Sequence, residues 1–379
     1  MAKPKIMFVV TEDWFFTSHF LPMARAALVE GFDVCVMCRA RDHGDTISAM
    51  GFHLIPMEAD RKTLNPLSVL STLFTMRRKI AQEKPDIVHL IALRSIMIGG
   101  LAAALAGIPR RVIALTGLGL VGAQNGTKAR IARFGIRQFV RTLVDGAKVR
   151  YLFENRSDPL LFELDPNNSA KVTVVGGAGV DPHVFHARPM PDHPPLQVAM
   201  IARMLWSKGV DVAVEAVQRA RAKGVGVTLS LYGAPDPDNP KAISESVLRD
   251  WATLPGITWH GKISQADVPN IWAAHHLAVL PSRGGEGLPR TLLEAASCGR
   301  AIVTTDVPGC RDLVRNGVEG LIVPPNDPNA LAAALISLSL ETATVTAMGR
   351  AARLRILEDH TEDAVGQAVV KLYRSMLQS

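Results

Sequence analysis

Short apolar segments alternate with longer amphipathic segments along almost the whole chain. The apolar segments of the first half are KIMFVV, DVCVMC, FHLI, DIVHL, RVIAL, YLF and KVTVV, and those of the second half are LQVAMI, VTLSLY, ITWH, LAVLP, AIVTT and GLIV. Fully apolar strands separated by helices are typical of a parallel sheet that is covered on both faces. The pattern therefore predicts an α/β fold with two doubly wound, Rossmann-like domains.

A proline-rich stretch, HARPMPDHPP, divides the two halves at residues 186–195. Proline excludes a continuing helix, so we expect a stiff linker at 188–196 between an N-terminal domain at 1–187 and a C-terminal domain at 197–358. The last segment, 359–379, is expected to be a helix that packs back towards the N-terminal domain. Ligands of open α/β sheets bind beyond the carboxyl ends of the strands, so we expect the chemistry in a central cleft between the two sheets.

The composition narrows the classes of partner. The chain has 379 residues, of which 48% are hydrophobic and 20% charged, and its net charge is +7. An excess of positive charge favours nucleic acid, anionic lipid or phosphorylated small molecules as partners. Aromatic residues make up only 5%, without an aromatic–basic stripe or zinc spacing, so we expect no nucleic-acid partner. The longest uncharged apolar run, at 95–109, is too short to span a bilayer.

The number and spacing of the cysteines indicate a reducing compartment and not a metal site. Four cysteines are too few for a disulfide framework, so we expect a reducing cytoplasm. Cys35 and Cys38 lie three residues apart in a predicted strand and therefore point to opposite faces of the sheet. We predict that they are core side chains and not metal ligands.

Two cations follow the first strand of the second half. Arg203 and Lys208 come after LQVAMI, and Gly209 precedes the next helix. Backbone N–H groups, the helix dipole and charge-assisted hydrogen bonds all favour an anion at such a position. The pattern indicates a phosphate site, although basic side chains on an ordinary loop are the alternative.

The segment GGEGLPRTLLEA at 284–295 carries two glutamates, Glu286 in a glycine-rich loop and Glu294 inside an apolar run. Glycine lets backbone approach a ligand closely, and the proline fits the first turn of a helix. The alternative is one acid at a helix N-terminus and one solvated acid on the helix. Glu294 has apolar neighbours on both sides, and a buried carboxylate needs a partner. We therefore expect both carboxylates to converge on one ligand.

Several motifs together resemble a known family. IARMLWSKG, the spacing of Glu286 and Glu294, EAASCGRAIVTTDVPGCRDLV and GVEGLIVPPNDPNAL resemble the second domain of family-four retaining glycosyltransferases, which have the GT-B fold. In the first half, SHFLPMA, LNPLSVL and LAAALAGIPRRVIALTGLG resemble bacterial hexosamine transferases that act on undecaprenyl-diphosphate-linked sugars, of the diacetylbacillosaminyl-diphospho-undecaprenol N-acetylgalactosaminyltransferase type.

The resemblance implies roles for matching residues. Arg203 and Lys208 are expected to hold the donor diphosphate and to stabilise the negative charge that develops as the sugar leaves. Glu286 is expected to contact the donor sugar near its reacting face, and Glu294 to accept hydrogen bonds from ribose hydroxyls. These are the catalytic and nucleotide-binding residues that the resemblance implies.

Backbone contacts complete the implied donor site. Gly287 and Leu288 are expected to meet phosphate or sugar through their main chain. Lys262 and Ile263, in ITWHGKIS, are expected to meet the base in the same way.

The first half departs from the family pattern after its first strand, where TEDWFFTSH replaces a paired-glycine loop. After the fifth strand TGLG stands where many members have a histidine, so Thr116 and Gly117 are acceptor-side candidates. His19 and His89 are further candidates for the acceptor side, with a purely structural role as the alternative for each.

A metal is the competing source of countercharge. Asp236 and Asp238 form a D-x-D sequence, which superficially resembles the metal motif of GT-A glycosyltransferases. Two aspartates beside prolines are also ordinary turn residues. Because Arg203 and Lys208 already supply positive charge, we expect an enzyme with no metal and no cofactor.

A basic amphipathic segment, KARIARFGIRQFVRTLV, is the candidate membrane contact. It places four arginines on one helical stripe with apolar side chains beside them: Arg130, Arg133, Arg137 and Arg141. Such a helix binds an anionic membrane surface, although a solvated face is the alternative. With the resemblance, it predicts a cytoplasmic protein that is peripheral on the inner face of the cytoplasmic membrane.

These observations predict a retaining glycosyltransferase. We expect it to move GalNAc or GlcNAc from a UDP-sugar to an undecaprenyl-diphosphate-linked saccharide in bacterial polysaccharide or glycan assembly. The alternative enzymes are a GT-B glucosyl- or mannosyltransferase and a nucleotide-sugar epimerase. The non-enzymatic alternative is a nucleotide-sugar-binding membrane scaffold.

Overall fold

The computed structural model describes residues 3–58, 65–117, 126–236 and 239–378. The chain forms two compact units. Unit 1 comprises Met1–Gly179 and Glu362–Ser379, and unit 2 comprises Val180–Thr361. The last segment of the chain thus belongs to the same unit as the first.

Each unit contains one sheet in which all the strand pairs of the described residues are parallel. The strands of unit 1 are β1 Lys5–Glu12, β2 Asp33–Arg39, β3 His53–Pro56, β4 Ile87–Ile91, β5 Arg111–Leu115, β6 Val149–Phe153 and β7 Val172–Val174. Those of unit 2 are β8 Leu196–Ile201, β9 Val227–Tyr232, β10 Ile257–Trp259, β11 Leu277–Leu280, β12 Ala301–Thr305 and β13 Gly320–Val323. The strand orders are β3-β2-β1-β4-β5-β6-β7 and β10-β9-β8-β11-β12-β13. The predicted pair of doubly wound sheets is confirmed.

Helices separate most of the strands in chain order. The α-helices of the described residues are α1 Asp13–Phe15, α2 Leu21–Val29, α3 Gly44–Ala49, α4 Pro66–Glu83, α5 Ala92–Leu105, α6 Thr127–Phe139, α7 Asp158–Leu161, α8 Val210–Ala222, α9 Glu245–Ala252, α10 Val268–Ala273, α11 Arg290–Ser297, α12 Cys310–Leu313, α13 Pro328–Leu340, α14 Thr342–Asp359 and α15 Glu362–Gln378. The π-helical segments are Phe16–Phe20 and Val140–Val144, and the 3-10 turns are Trp206–Lys208 and Gln265–Asp267.

The sheet of unit 1 is buried on both faces, which explains why its strands are apolar throughout. Successive side chains of a strand point to opposite faces. Cys38 accordingly packs in one core cluster with Phe8, and Cys35 packs in the other with Met37. Burial raises the pKa of both thiols to about 12. The prediction that these cysteines are core side chains is confirmed.

The final helix, α15, is bound to the sheet of unit 1 by a buried histidine–tyrosine pair. His89, in β4, is fully buried, and its Nδ1 lies 2.6 Å from Oη of Tyr373 in α15. The imidazole also stacks on Phe8, with ring centroids 5.0 Å apart. His89 lies inside the core and not at the carboxyl end of its strand, as its structural alternative requires. Its assignment to the acceptor side stays a prediction.

The proline-rich stretch packs on unit 2, although the sequence analysis assigned 188–196 to a linker. The guanidinium of Arg300 is buried and needs acceptors, and its Nη2 donates to the carbonyl oxygens of Arg188 at 2.9 Å and Pro189 at 3.1 Å. The described units therefore divide at Gly179 and Val180, before the prolines. The domain bounds from the sequence remain a proposal.

Two consecutive helices meet at a sharp bend in unit 2. α13 and α14 form an angle of 105°. The leucines of α13 that face the sheet are buried in the core of the unit: Leu331, Leu335 and Leu338. Among the described residues, no single helix has the length and apolar composition to cross a membrane, and only this bent pair passes that test when its two helices are taken together.

The buried histidine makes the stability of unit 1 depend on pH. Burial lowers the pKa of His89 to about 3 in the folded chain, whereas in an unfolded chain it lies near 6.5. Between these values the unfolded state binds a proton that the folded state does not, so stability falls as the pH drops, by up to roughly 1.4 kcal/mol per pH unit. We expect His89→Gln to remove this part of the acid sensitivity in urea unfolding followed by circular dichroism.

The matched control is His53→Gln, which changes an exposed histidine of β3 in the same unit. The control is expected to keep the wild-type dependence on pH. An equal slope for wild type and His89→Gln below about pH 6 would contradict the account, whatever the stability of the variant at neutral pH.

Candidate active site

The strand order of unit 2 identifies one edge as the place for a ligand. After β8, the chain adds β9 on one side of it, and β11 lies on the other side. The sheet therefore has its topological switch point between β8 and β11. Ligands of open α/β sheets bind in the crevice beyond the carboxyl ends of the strands at this point. The loops that follow β8 and β11 carry the residues singled out from the sequence.

A close backbone approach joins these two loops. Gly209 follows the turn Trp206–Lys208 with φ of 72°, a left-handed conformation that glycine adopts without strain. A Cβ atom at Gly209 would lie 2.0 Å from the carbonyl oxygen of Pro281. Only glycine fits at that distance, and the contact brings the end of the β8 loop against the start of the β11 loop.

Lys208 and Glu286 form an ion pair at the switch point. Nζ of Lys208 lies 2.8 Å from each carboxylate oxygen of Glu286, and both side chains are largely buried. Oγ of Ser282 donates to Oε1 of Glu286 at 2.7 Å. Thr305 fixes this loop in turn, because its hydroxyl donates to the carbonyl oxygen of Ser282 at 2.5 Å. The site thus holds a cation and a carboxylate in fixed positions side by side.

Ser282 was not predicted from the sequence. It lies four residues before Glu286 in a loop, where no helical or strand period places side chains together. Its role becomes visible only when the loop conformation is known.

Arg203 is placed at the same edge and is paired with an acid. Its Nη1 lies 3.0 Å from Oδ2 of Asp236, which follows β9. The Arg203 side chain is 47% exposed, so its guanidinium is open to solvent and to a ligand. Asp238, the other aspartate of the D-x-D sequence, lies outside the described residues. Within the described ranges, no group of three or more His, Cys, Asp or Glu side chains is arranged to hold a metal ion.

Glu294 is buried in α11 and has two partners. Nε of Arg290 and Nε2 of Gln265 each donate to its Oε1 at 2.9 Å. Burial raises the pKa of Glu294 above its ordinary value, and the charge of Arg290 and the hydrogen bonds from Gln265 and Arg290 offset only part of this rise. The buried carboxylate therefore has the partners that its apolar neighbours in the sequence require. The spacing of Arg290 and Glu294 indicates an i,i+4 pair, whereas nothing in the sequence points to Gln265.

The backbone candidates lie in the same loops. Gly287 and Leu288 are buried, and a Cβ atom at Gly309 would lie 2.1 Å from the carbonyl oxygen of Gly287. Lys262 and Ile263 follow β10, and Lys262 is exposed. Their loop continues into Gln265, whose bond to Glu294 ties it to α11. Unit 2 thus brings together all eight donor-side residues of the sequence analysis at one edge of its sheet.

The acceptor-side candidates lie in unit 1, at the carboxyl edge of its own sheet. His19 is in the π-helical segment after β1, where its Nδ1 lies 2.6 Å from Oγ of Ser18 and its ring centroid 4.5 Å from that of Phe15. Thr116 and Gly117 directly follow β5, and φ of Gly117 is 87°. These three residues follow strands, whereas His89 lies within one, and the acceptor-side role of each stays a prediction.

Helix α6 exposes apolar side chains between its arginines. Ile131 is 66% exposed and Phe134 is 55% exposed. Two of the four arginine candidates bind the same acid, Glu163. Arg137 in α6 lies 2.7 Å from its carboxylate, and Arg141, just after α6, lies 2.9 Å from it. The other two, Arg130 and Arg133, line a cavity beside Phe134. The surface therefore combines positive charge with exposed apolar side chains.

Comparison with known proteins agrees with this architecture. The family model described as "Glycosyl transferases group 1" matches residues 195–340, and the one described as "Glycosyl transferase 4-like" matches residues 5–148. A relative from Campylobacter jejuni, N,N'-diacetylbacillosaminyl-diphospho-undecaprenol alpha-1,3-N-acetylgalactosaminyltransferase, is 27% identical over 95% of this chain and 96% of its own length.

Solved structures share the fold. Sucrose-phosphate synthase from Thermosynechococcus elongatus superposes with a TM-score of 0.79 at 17% identity, covering 99% of this chain and 100% of its own. Anabaena HepE, solved in complex with UDP and glucose, superposes with a TM-score of 0.75 at 15% identity over 98% of this chain and 100% of its own. Glycosyltransferase family models match both halves of the chain, and the Campylobacter relative aligns with nearly its whole length. The chain therefore belongs to the family-four glycosyltransferases and has the GT-B fold.

Proposed function

We propose that this glycosyltransferase moves an N-acetylhexosamine, with retention of the anomer, from a UDP-sugar to an undecaprenyl-diphosphate-linked saccharide. The observation that carries the proposal is the Lys208–Glu286 pair at the switch point of unit 2, with Arg203 beside it on the β8 loop. The name of the Campylobacter relative states a transfer of N-acetylgalactosamine to a diphospho-undecaprenol-linked sugar. That relative supports the same classes of donor and acceptor for this chain.

The two cations suit a donor diphosphate. Arg203 is paired with Asp236, and Lys208 is paired with Glu286. A diphosphate carries more negative charge than either carboxylate and accepts several charge-assisted hydrogen bonds. On binding, it takes over the two cations and is stabilised further as charge develops on it during sugar departure. We propose that these side chains supply the countercharge without a metal.

Glu286 suits the donor sugar. Once Lys208 turns to the diphosphate, the carboxylate of Glu286 remains fixed by Ser282, next to the bond that breaks. A negative charge there favours the positive character of an oxocarbenium-like centre. In the reaction the bond from the anomeric carbon to the diphosphate oxygen breaks and a bond to the acceptor oxygen forms on the same face. The acceptor proton passes to the departing diphosphate.

Glu294 suits the ribose. Its carboxylate is held by Arg290 and Gln265 through one oxygen, Oε1, so its position in the loop cluster is fixed before a nucleotide arrives. We propose that it accepts hydrogen bonds from ribose hydroxyls. Gly287, Leu288 and the main chain of Lys262 and Ile263 are proposed to contact phosphate, sugar and base.

Unit 1 is proposed to bind the acceptor, through His19, Thr116 and Gly117, and the membrane, through α6. Exposed Ile131 and Phe134 between arginines suit shallow insertion into an anionic surface. The protein is accordingly proposed to work from the cytoplasm on the inner face of the cytoplasmic membrane.

Product analysis tests the proposed reaction. We expect UDP-GalNAc or UDP-GlcNAc, and not UDP-glucose or GDP-mannose, to extend an undecaprenyl-diphosphate-linked acceptor by one N-acetylhexosamine. Mass spectrometry detects the extended product, and UDP is released with it. EDTA is expected to leave the rate unchanged.

Glu286→Gln is expected to lower kcat by roughly two orders of magnitude while UDP still binds, because the charge beside the sugar is lost. Glu294→Gln is expected to weaken UDP binding instead.

The control for both variants is Glu245→Gln, which removes an exposed acid from α9. Full turnover by Glu286→Gln with a folded protein would contradict the assigned site. Epimerised nucleotide sugar without UDP release would identify an epimerase. Binding of UDP-sugar with no turnover in any combination would favour the scaffold.

Vesicle sedimentation tests the membrane surface. We expect the wild type to bind vesicles that contain phosphatidylglycerol, less at high salt, and not vesicles of phosphatidylcholine alone. The double variant Arg130→Glu, Arg133→Glu is expected to lose about tenfold or more in binding, since each cation near such a surface contributes about 1 kcal/mol. Arg249→Glu, an exposed change on α9, is the control. Equal binding by the double variant would show that α6 is a solvated face.

A further inference from the structure

Arg283, in the loop after β11, contacts other loops at the carboxyl edge of the unit 2 sheet. It follows Ser282 and precedes the glycines that lead to Glu286. Nothing in the sequence separates it from an ordinary basic residue of a loop, and the proposed reaction gives it no role. Its side chain is nevertheless only 25% exposed. An arginine that is buried to this degree needs bound partners.

The first partner is Asp211, in the first turn of α8. Nη1 of Arg283 lies 2.9 Å from Oδ1 of Asp211, and Nη2 lies 2.7 Å from Oδ2. A bidentate pair of this kind fixes the plane of the guanidinium as well as its position. Asp211 comes three residues after Lys208, so the pair fixes the chain on the carboxyl-terminal side of Lys208.

The next partners are the two main-chain carbonyl groups that directly precede Lys208. The backbone N–H of Arg283 donates to the carbonyl oxygen of Ser207 at 2.8 Å, and its Nη1 donates to that of Trp206. Arg283 therefore binds the chain on both sides of Lys208. Because a lysine side chain is a flexible stem, the reach of its ammonium depends on where its backbone is held.

A third loop supplies the last partner. Nε of Arg283 lies 2.5 Å from Oδ1 of Asn326, which follows β13. Asn326 has φ of 60°, a left-handed conformation that asparagine adopts more readily than most residues. Each nitrogen of the guanidinium thus donates to an acceptor within unit 2, and the side chain has little freedom to turn towards a ligand.

These contacts distinguish Arg283 from the cation that we assign to the diphosphate on the neighbouring loop. Arg203 meets Asp236 through one nitrogen, Nη1, and is 47% exposed. A diphosphate that reached Arg283 would have to displace Asp211, Asn326 and a main-chain carbonyl group together. The charge of Arg283 is therefore balanced inside the unit, and its contacts serve the loops.

We propose that Arg283 is a positioning residue that holds Lys208 at the donor diphosphate, an inference that rests on the function proposed above. Arg283 touches neither the sugar nor the diphosphate and acts through residues 206–211, which it binds on either side of Lys208. When Lys208 leaves Glu286 for the diphosphate, the backbone stays in place and only the side chain turns. A misplacement of about 1 Å in a group of this kind costs roughly a hundredfold in rate.

A double-mutant cycle on UDP binding, followed by calorimetry, tests the proposal. Arg283→Gln is expected to weaken UDP binding about tenfold, because the Lys208 ammonium no longer meets the diphosphate in a fixed position. In a protein that carries Lys208→Met, the same change is expected to alter UDP binding by less than about twofold, because the group through which Arg283 acts is gone.

The matched control is Arg219→Gln, in the last turn of α8. Arg219 likewise binds an acid, Glu215, and an asparagine, Asn329. The control is expected to leave UDP binding unchanged with and without Lys208→Met.

Arg283→Lys separates position from charge. It keeps the positive charge and loses the planar fork that binds Asp211 and Trp206 together. We expect a loss of UDP binding close to that of Arg283→Gln, again only while Lys208 is present. Wild-type UDP binding by Arg283→Lys would show that the charge itself attracts the diphosphate and would overturn the proposal. This variant carries the same cycle if circular dichroism shows that Arg283→Gln does not fold.

Equal losses from Arg283→Gln with and without Lys208→Met would also overturn the proposal, since they would show only a general contribution to the structure of the unit. Unchanged UDP binding by folded Arg283→Gln would do the same. Failure of the proposed function is distinct, because it appears as no binding of UDP by the wild type.

Discussion

The candidate site depends on one ion pair, between Lys208 and Glu286, and on the backbone contact that makes the pair possible. The loops after β8 and β11 approach so closely that the Gly209 position has no room for a Cβ atom beside the carbonyl oxygen of Pro281. This contact sets the ammonium within 2.8 Å of both carboxylate oxygens. In the proposed reaction, the diphosphate takes over the cation, and the carboxylate, fixed by Ser282, stays beside the departing sugar.

The surrounding loops keep the other charged groups ready for a ligand. Glu294 is buried, yet Arg290 and Gln265 satisfy one of its oxygens and fix its orientation. Arg203 stays half exposed next to Asp236. Because these groups are already in place, little free energy is lost to rearrangement when a ligand binds, which favours both affinity and rate.

The fold class could be predicted from the sequence because parallel strands buried on both faces are apolar throughout and contrast with the helices between them. The position of the donor-side candidates at the strand ends of unit 2 could be predicted from the sequence pattern, whereas their roles come from the resemblance and stay predictions. Ser282 and Gln265 could not, since loops bring them to Glu286 and Glu294 without any sequence period. The partner of His89, the hydroxyl of Tyr373, could not be predicted, because a histidine in an apolar strand looks the same in the sequence whether its ring meets a ligand or another core side chain. The packing of the proline-rich stretch depends on a buried arginine, Arg300, more than a hundred residues away.

The most direct test of the account is a crystal structure of the protein with bound UDP-N-acetylgalactosamine or UDP-N-acetylglucosamine. We predict that the diphosphate lies within hydrogen-bonding distance of Lys208 and Arg203, that the sugar lies against Glu286, and that ribose hydroxyls donate to Glu294. A nucleotide bound elsewhere would contradict the account. So would a bound nucleotide sugar that leaves Lys208 paired with Glu286 and out of contact with the diphosphate.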